Sequence, residues 1–187
     1  RLLHPEICTL DCGTMNFGEG NYVATNTHDT LAEMARQIQE IGVRPEIEVF
    51  DTGQLWEAKA LVDQGLINLP VMVQLCMGVR WGAPNDLNTF MALVNNVPPE
   101  WTFSAFSLGR DQLPYVALAA VAGGNARVGL EDNLYIDKMI RDPLQFNNFY
   151  ISENSHWSLL KDLKHDIGTG LNKACEEIEE LNPSLEG

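Results

Sequence analysis

The residues best suited to chemistry lie in one short segment, residues 124–135, which contains a predicted buried strand at 126–130. The segment places Arg127, Glu131 and Asp132 within six positions. Because unpaired charge is costly to bury, an arginine beside two carboxylates predicts a paired, functional cluster. In folds with parallel strands, ligands bind at the carboxyl ends of those strands. The alternative is a strand-terminal turn whose acids face water.

Two other predicted strands carry polar residues at alternate positions. Glu46 and Glu48 share one face of their strand, and Thr9 shares a face with Asp11, since successive strand side chains point to opposite sides. If the aliphatic residues between them pack against helices, these acids point inward, toward the 124–135 segment. Such a cluster suits proton transfer or cation binding, because burial and mutual repulsion shift pKa values. The alternative for Glu46 and Glu48 is a solvated edge.

Two turns give weaker signals for anion binding. Residues 78–82 read Gly-Val-Arg-Trp-Gly, which matches neither a Walker A loop nor the dinucleotide-binding fingerprint. Arg110 follows a predicted strand and Gly109. A guanidinium at that place can lie beside an anionic ligand, although arginine is common after strands. A compact phosphate-binding α/β domain is therefore one hypothesis for function.

Strand-like and helix-like patterns alternate over about the first 135 residues. The predicted strands cover residues 7–12, 46–50, 71–79, 102–108 and 126–130. Between them, four segments have apolar residues at helical spacing, each followed by glycine or proline. This alternation predicts repeated βαβ units and an α/β fold with a parallel sheet. From about residue 137 the alternation stops, and one last amphipathic helix is predicted from about residue 171.

Composition is that of an ordinary globular chain. The 187 residues are 45% hydrophobic and 20% charged, enough for a sizeable core. The formal net charge of −14 argues against a nucleic-acid or anionic-membrane surface. No apolar run reaches membrane-spanning length and no leader pattern is visible, so a cytoplasmic location is expected. The cysteines and histidines lack zinc-finger, HxH and HExxH spacing, which predicts reduced thiols and no complete metal site.

Five motifs in order carry a resemblance to a known family. They are PEICTLDCGTMNFG at 5–18, PEIEVFDTG at 45–53, GVRWG at 78–82, Gly109-Arg110, and RVGLEDN at 127–133. Over about residues 2–136 the chain resembles the β-keto acid cleavage enzymes, which include the 3-keto-5-aminohexanoate cleavage enzyme of lysine degradation. The resemblance implies a zinc-dependent (β/α)8 TIM barrel, of which this chain has about the last five strands. It also implies reaction of a β-keto acid with acetyl-CoA, giving acetoacetate and a new CoA thioester.

The resemblance also implies roles for individual residues. Glu131 matches the zinc-ligating glutamate, and Asp132 and Arg127 match the acid and arginine linked to proton abstraction. Zinc would polarise the keto oxygen and stabilise the developing enolate. Glu48 matches a polar residue of the pocket and is a further catalytic candidate. Substrate contacts are expected at Thr9, Asp11, Glu46 and Arg110.

The sequence also departs from the family pattern. The family holds zinc mainly through an HxH pair on its second strand; this chain has no HxH, so Glu131 alone should bind zinc weakly. By the resemblance the chain starts at the fourth strand, which would leave open edges near residues 7–12 and 126–130. Open edges predict aggregation, or rescue by a partner that supplies the missing strands. The family forms homo-oligomers, although the sequence leaves the oligomeric state open.

Residues from about 149 to 187 are similar to a different protein, the modification subunit of type I restriction enzymes, an adenine DNA methyltransferase. No cofactor or catalytic motif of that family is present; an ordinary amphipathic tail helix is the alternative. The predicted division is a partial-barrel domain at 1–138 and an irregular linker with a helical tail at 139–187. Two hypotheses for function follow: a β-keto acid cleavage enzyme, incomplete and inactive as this chain alone, or a non-catalytic module associated with a restriction–modification methyltransferase.

Overall fold

Strands and helices alternate along the chain as the apolar periodicity predicts. The computed structural model describes residues 4–18, 20–129, 131–133, 135–137, 140–141 and 149–151. In chain order the elements are β1 (Ile7–Asp11), β2 (Met15–Asn16), β3 (Val23–Ala24), α1 (His28–Glu40), β4 (Arg44–Val49), α2 (Thr52–Asp63), β5 (Met72–Met77), α3 (Leu87–Asn96), β6 (Thr102–Ser107), a 3-10 turn (Gly109–Asp111), α4 (Gln112–Val121), β7 (Asn125–Val128), β8 (Tyr135–Asp137), β9 (Ile140–Arg141) and β10 (Phe149–Ile151).

The main sheet has the strand order β1-β4-β5-β6-β7-β10. The first five of these strands run parallel, and helices α1 to α4 connect them in turn. The predicted α/β fold with a parallel sheet is therefore confirmed. Consecutive parallel strands joined by single helices are the organisation of part of a (β/α)8 barrel. None of the described helices is long and apolar enough to cross a membrane.

The two faces of this sheet differ in chemistry. On the helix side, Ile47 and Val49 are fully buried in the main hydrophobic core, together with Leu10 and residues from α1, α2 and α3. Glu46 and Glu48 alternate with them and point to the opposite side, where they are 2% and 8% exposed. The expected inward orientation of these two acids is thus found. The solvated edge that was their alternative is not.

Helix ends follow the local sequence signals. The side chains of Thr27, Asp51 and Asp86 cap α1, α2 and α3 by accepting hydrogen bonds from backbone N–H groups in the first turn. Helices α1 and α2 are followed by Gly42 and Gly65, whose φ angles of 72° and 71° suit glycine best. The three N-caps end the loops that follow the carboxyl ends of the strands, whereas the two glycines begin the loops that lead to the next strands.

The sheet edge at β7 is covered, contrary to expectation. Strand β10 pairs antiparallel with β7, with Tyr150 opposite Arg127, so residues 126–128 do not form an open edge. The sequence predicts no strand at 149–151, because three residues are too few to show an alternating pattern. An unpaired edge accepts any short extended segment that satisfies its backbone groups. In the described part of the chain, the outer edge of β1 has no partner strand.

Most of the predicted tail lies outside the described residues. The helix expected from about residue 171 and the resemblance over 149–187 fall largely in the stretch from residue 152 onward, which the structure does not describe. The division of the chain at residue 138 likewise stays a prediction.

Gly124 provides a test of how closely α4 and β7 approach β6. A Cβ atom at Gly124 would lie 2.1 Å from Cε2 of Phe103, far inside contact distance. We expect Gly124→Ala to lower the free energy of unfolding by about 1–3 kcal/mol in urea denaturation, because overpacking forces the backbone to shift. The matched control is Gly53→Ala, where the new methyl would meet only Asp51 Oδ1 at 3.3 Å. Equal stability of the two variants would contradict this packing.

Candidate active site

A row of polar side chains crosses the inner face of the parallel sheet. Pairing register places Asp11, Glu48, Gln74, Ser104 and Asn125 side by side on β1, β4, β5, β6 and β7. The last four are buried, and Gln74 is fully so. In the described part of the chain, neither amide atom of Gln74 has a hydrogen-bond partner. Buried amides are normally paired, so the row has hydrogen-bonding capacity left for a ligand or water.

The sequence patterns predict only the charged members of this row. Gln74 sits between Val73 and Leu75, and Ser104 between Phe103 and Ala105. The signal that could have found them is the same alternation that revealed the glutamates. A neutral polar residue in an apolar strand is less costly to bury than a charge, and it therefore indicates a functional site less strongly.

Arg127 is the centre of the charged cluster. Its Nη1 donates to Glu48 Oε2 at 3.0 Å, and its Nη2 donates to Glu131 Oε2 at 2.6 Å. Asp132 Oδ1 accepts a hydrogen bond from Nη2 at 3.3 Å, and Asp132 Oδ2 lies within ion-pair distance of Nε, at 3.1 Å. The guanidinium carbon also lies 4.5 Å from the centroid of the Phe106 ring. Arg127 is 5% exposed, so these contacts form away from bulk water.

The two acids after β7 have different surroundings. The side chain of Asp132 is 3% exposed, whereas that of Glu131 is 70% exposed. The turn that holds them is fixed by backbone hydrogen bonds from Asp132 and Asn133 to the carbonyl of Gly129, at 3.2 and 3.1 Å. Gly109 N–H donates to the Asp132 carbonyl at 2.7 Å, which ties this turn to the loop after β6. The alternative of a turn whose acids both face water is therefore wrong for Asp132.

Burial gives this cluster groups that titrate near neutral pH. Burial raises the pKa of Glu48 to about 7, against the lowering effect of Arg127, and the charges of Asp11, Glu46 and Asp132 raise it further. Burial also raises the pKa of Asp132 to about 6, again opposed by Arg127. The pKa of Asp11 is raised by partial desolvation, although the residue is exposed at the edge of the sheet. Carboxyl groups in this range can both accept and return protons at physiological pH.

Not all predicted site residues join the cluster. Thr9 and Asp11 are exposed on β1, where Thr9 pairs with Glu46 and Asp11 with Glu48. They extend the inner face toward the edge of the sheet. Arg110 is exposed on the 3-10 turn after β6 and, among the described residues, makes no ion pair with the carboxylates around Arg127. It shares only the carboxyl-end side of the sheet with them.

The residues present do not fit a catalytic zinc site by themselves. Among the described residues, no group of three or more His, Cys, Asp or Glu side chains is arranged to hold a metal ion. The Glu131 carboxylate is hydrogen-bonded to Arg127. Catalytic zinc sites typically take three protein ligands.

Comparison with known proteins gives consistent results. The sequence pattern of the family described as beta-keto acid cleavage enzyme matches residues 1–145. The chain is 69% identical over 134 residues to the 3-dehydrocarnitine:acetyl-CoA trimethylamine transferase of Rhizobium meliloti (strain 1021), covering 72% of this chain and 45% of that protein. It is 44% identical over 138 residues to a 3-keto-5-aminohexanoate cleavage enzyme of Fusobacterium nucleatum, covering 74% of this chain and 50% of that protein. The chain thus spans about half the length of these curated relatives.

Solved structures support the fold. The apo structure of ObcA aligns with a TM-score of 0.57 at 19% identity, covering 89% of this chain and 41% of that one. A ternary complex of ObcA with a C4-CoA adduct and oxalate aligns with a TM-score of 0.55 at 21% identity, covering 73% of this chain and 38% of that one. At these identities the likeness concerns the fold alone.

Proposed function

Because the chain belongs to the β-keto acid cleavage enzyme family, we propose that it provides one half of an active site that transfers an acyl group between a β-keto acid and acetyl-CoA. The products would be acetoacetate and a new CoA thioester. The observation that carries this proposal is the buried Arg127 cluster, which lies at the carboxyl ends of parallel strands within the stretch that matches the family.

In this proposal Asp132 accepts the proton from the carbon between the two carbonyl groups of the β-keto acid. Its pKa of about 6 leaves it mostly ionised at neutral pH while still basic enough to take a proton. Arg127 donates to one Asp132 oxygen and lies within ion-pair distance of the other, which orients the carboxylate. Glu48, with a pKa of about 7, is a second group that can hold or return a proton. Glu131 would supply one carboxylate to a zinc site whose other ligands come from outside the described residues.

The charge of the inner face suggests the class of β-keto acid. Carboxylates outnumber guanidinium groups there, which favours a substrate with a positively charged group to balance them. The names of the two relatives agree with this, since one acts on 3-dehydrocarnitine as a trimethylamine transferase and the other on an amino acid derivative. We therefore propose a β-keto acid that carries an amino or trimethylammonium group. The carboxylates that form the inner face are Asp11, Glu46, Glu48, Glu131 and Asp132.

The proposed roles of Asp132 and Glu131 are tested by complementation. The chain is mixed with the N-terminal half of the Rhizobium meliloti relative, and acetoacetate is measured with 3-dehydrocarnitine and acetyl-CoA. We expect Asp132→Asn to reduce the rate by about 10²-fold or more, as for loss of a general base, and Glu131→Ala to abolish it. Asp63→Asn, at the exposed end of α2, is the control and should keep the full rate. Full activity of Glu131→Ala would refute its assignment as a metal ligand, and full activity of Asp132→Asn would refute its assignment as the base.

A further inference from the structure

Aromatic side chains from three loops meet at the carboxyl-end side of the sheet. Phe17 and Tyr22 belong to the hairpin after β1 and contact each other edge to face, with ring centroids 5.9 Å apart. Phe17 also contacts Phe50, which follows β4, at 6.2 Å. Trp81, in the loop after β5, donates from Nε1 to the carbonyl of Gly18 at 2.7 Å. Three of these rings are thus in contact with one another, and Trp81 is tied to the same hairpin by its hydrogen bond; we call these four residues the aromatic platform.

Part of the platform is buried in the core, and part of it is exposed to solvent. Phe50 is 7% exposed and packs in a small core cluster with Met15 and Phe106, directly beside the ring that stacks on the active-site arginine. Tyr22 and Trp81 are 62% and 63% exposed. Large apolar surface of this kind, held by a buried base and left open to solvent, is typical of binding sites. Through Phe50 and Phe106 the platform is connected to the Arg127 cluster.

The backbone at Trp81 is held in an unfavourable conformation. Its φ angle of 76° lies in the left-handed region, which bulky residues rarely adopt. The turn is closed by the hydrogen bonds Gly82 N–H to Val79 O, at 3.0 Å, and Gly78 N–H to Ala83 O, at 2.9 Å. A glycine at position 81 would relieve the strain. The indole is too exposed for core packing to offset the cost of this backbone conformation. Strain that persists on an exposed side chain indicates a functional role for that side chain.

One arginine contacts the platform, and a second lies on the neighbouring loop. The guanidinium of Arg80 lies over the Trp81 ring, 4.8 Å from its centroid. Arg110 is exposed on the next loop, and the hydrogen bond from Asn85 to Asp111, at 2.6 Å, joins the two loops. In a chain with a net charge of −14, guanidinium groups next to exposed aromatic rings indicate a ligand that is both planar and anionic.

We propose that the aromatic platform binds the adenine nucleotide end of acetyl-CoA, with the adenine ring stacked on Tyr22 and Trp81 and the phosphates beside Arg80 and Arg110. This rests on the proposed function, which requires a CoA thioester as co-substrate. Base stacking on aromatic side chains and phosphate binding by arginine are the two contacts such a ligand needs. A quaternary ammonium ligand would also stack on aromatic rings. It would meet repulsion from the arginines here and finds better partners among the inner carboxylates.

The test is calorimetric binding of 3′-phospho-ADP, the nucleotide portion of CoA, to the full chain. We expect Trp81→Gly to weaken binding about tenfold or more while raising stability, because it removes the indole and relieves the backbone. Tyr22→Ala should weaken binding by a similar factor. Arg80→Gln should weaken it and reduce its salt dependence. Trp56→Ala removes another tryptophan, 77% exposed on α2, and should leave binding unchanged.

Four outcomes would overturn the proposal. The first three are absence of nucleotide binding, unchanged binding in Trp81→Gly and Tyr22→Ala, and binding of choline at the platform with loss in the same two variants. The fourth is pyrophosphate binding as tight as that of the nucleotide, which would remove the role of the aromatic rings. Because the experiment needs neither the second half of the enzyme nor turnover, its result is independent of whether the cleavage reaction is observed.

Discussion

Replacing Arg127 with methionine is expected to lower the free energy of unfolding at pH 8 by about 3–5 kcal/mol, the range found when one partner of a buried ion pair is removed. Arg127 is the positive charge that the structure places against Glu48 and Asp132, both of them buried. Without it these two carboxylates repel each other in a site from which water is largely excluded. Methionine keeps most of the volume, so the loss would report the charge rather than a cavity.

The matched control is Arg36→Met on α1. Arg36 pairs with Glu33 at 2.7 Å, but both side chains are more than half exposed. Exposed pairs contribute little, so we expect a change of about 0.5 kcal/mol or less. Adding Glu48→Gln and Asp132→Asn to Arg127→Met should restore much of the lost stability. Equal effects at positions 36 and 127, or no recovery in the triple variant, would contradict the electrostatic account of the cluster.

The second large effect expected is a fall in the free energy of unfolding as pH rises, caused by the buried carboxyl group of Glu48. Its pKa is about 7 in the folded chain, against an ordinary value of 4.5. Between these values the unfolded chain has released the proton while the folded chain still holds it, so stability falls as pH rises through this window. The difference corresponds to about 3 kcal/mol. Asp132 also makes stability fall as pH rises, between its ordinary pKa of 3.8 and its pKa of about 6 in the folded chain.

Glu48→Gln should remove the contribution of Glu48 to this fall. In urea denaturation we expect the variant to match the wild type near pH 4 and to exceed it by up to about 3 kcal/mol at pH 8, less whatever the Arg127 hydrogen bond contributes. Glu33→Gln is the control, because Glu33 is exposed and its hydrogen bond from Gln37 lowers its pKa. A pH-independent difference between Glu48→Gln and wild type would show that the carboxyl group is not held as described.

The sequence predicted the parts of this structure that depend on periodic patterns. Alternation in Glu46-Ile47-Glu48-Val49 was sufficient to place both glutamates on the inner face, because a strand with one buried face has only one register. Arg127 and Asp132 were predicted to lie together because they flank the same strand end. The resemblance over residues 2–136 is confirmed by the family match over residues 1–145.

Other features depend on contacts that no local sequence pattern predicts. Strand β10 pairs with the edge of β7, and although its residues Phe, Tyr and Ile favour strands, three residues are too few to predict one. Trp81 adopts a left-handed conformation that sequence rules assign to glycine. The aromatic platform joins residues from three loops, so it appears only once the sheet has brought those loops to one side.

Product analysis of the complemented assembly determines whether this chain carries half of a β-keto acid cleavage site. The chain is mixed with the N-terminal half of the Rhizobium meliloti relative, and 3-dehydrocarnitine and acetyl-CoA are supplied. We predict acetoacetate and a trimethylammonium-bearing CoA thioester in equal amounts, and neither product from either half alone. A stable complex of the two halves that forms neither product would contradict the claim that this chain carries half of a β-keto acid cleavage site.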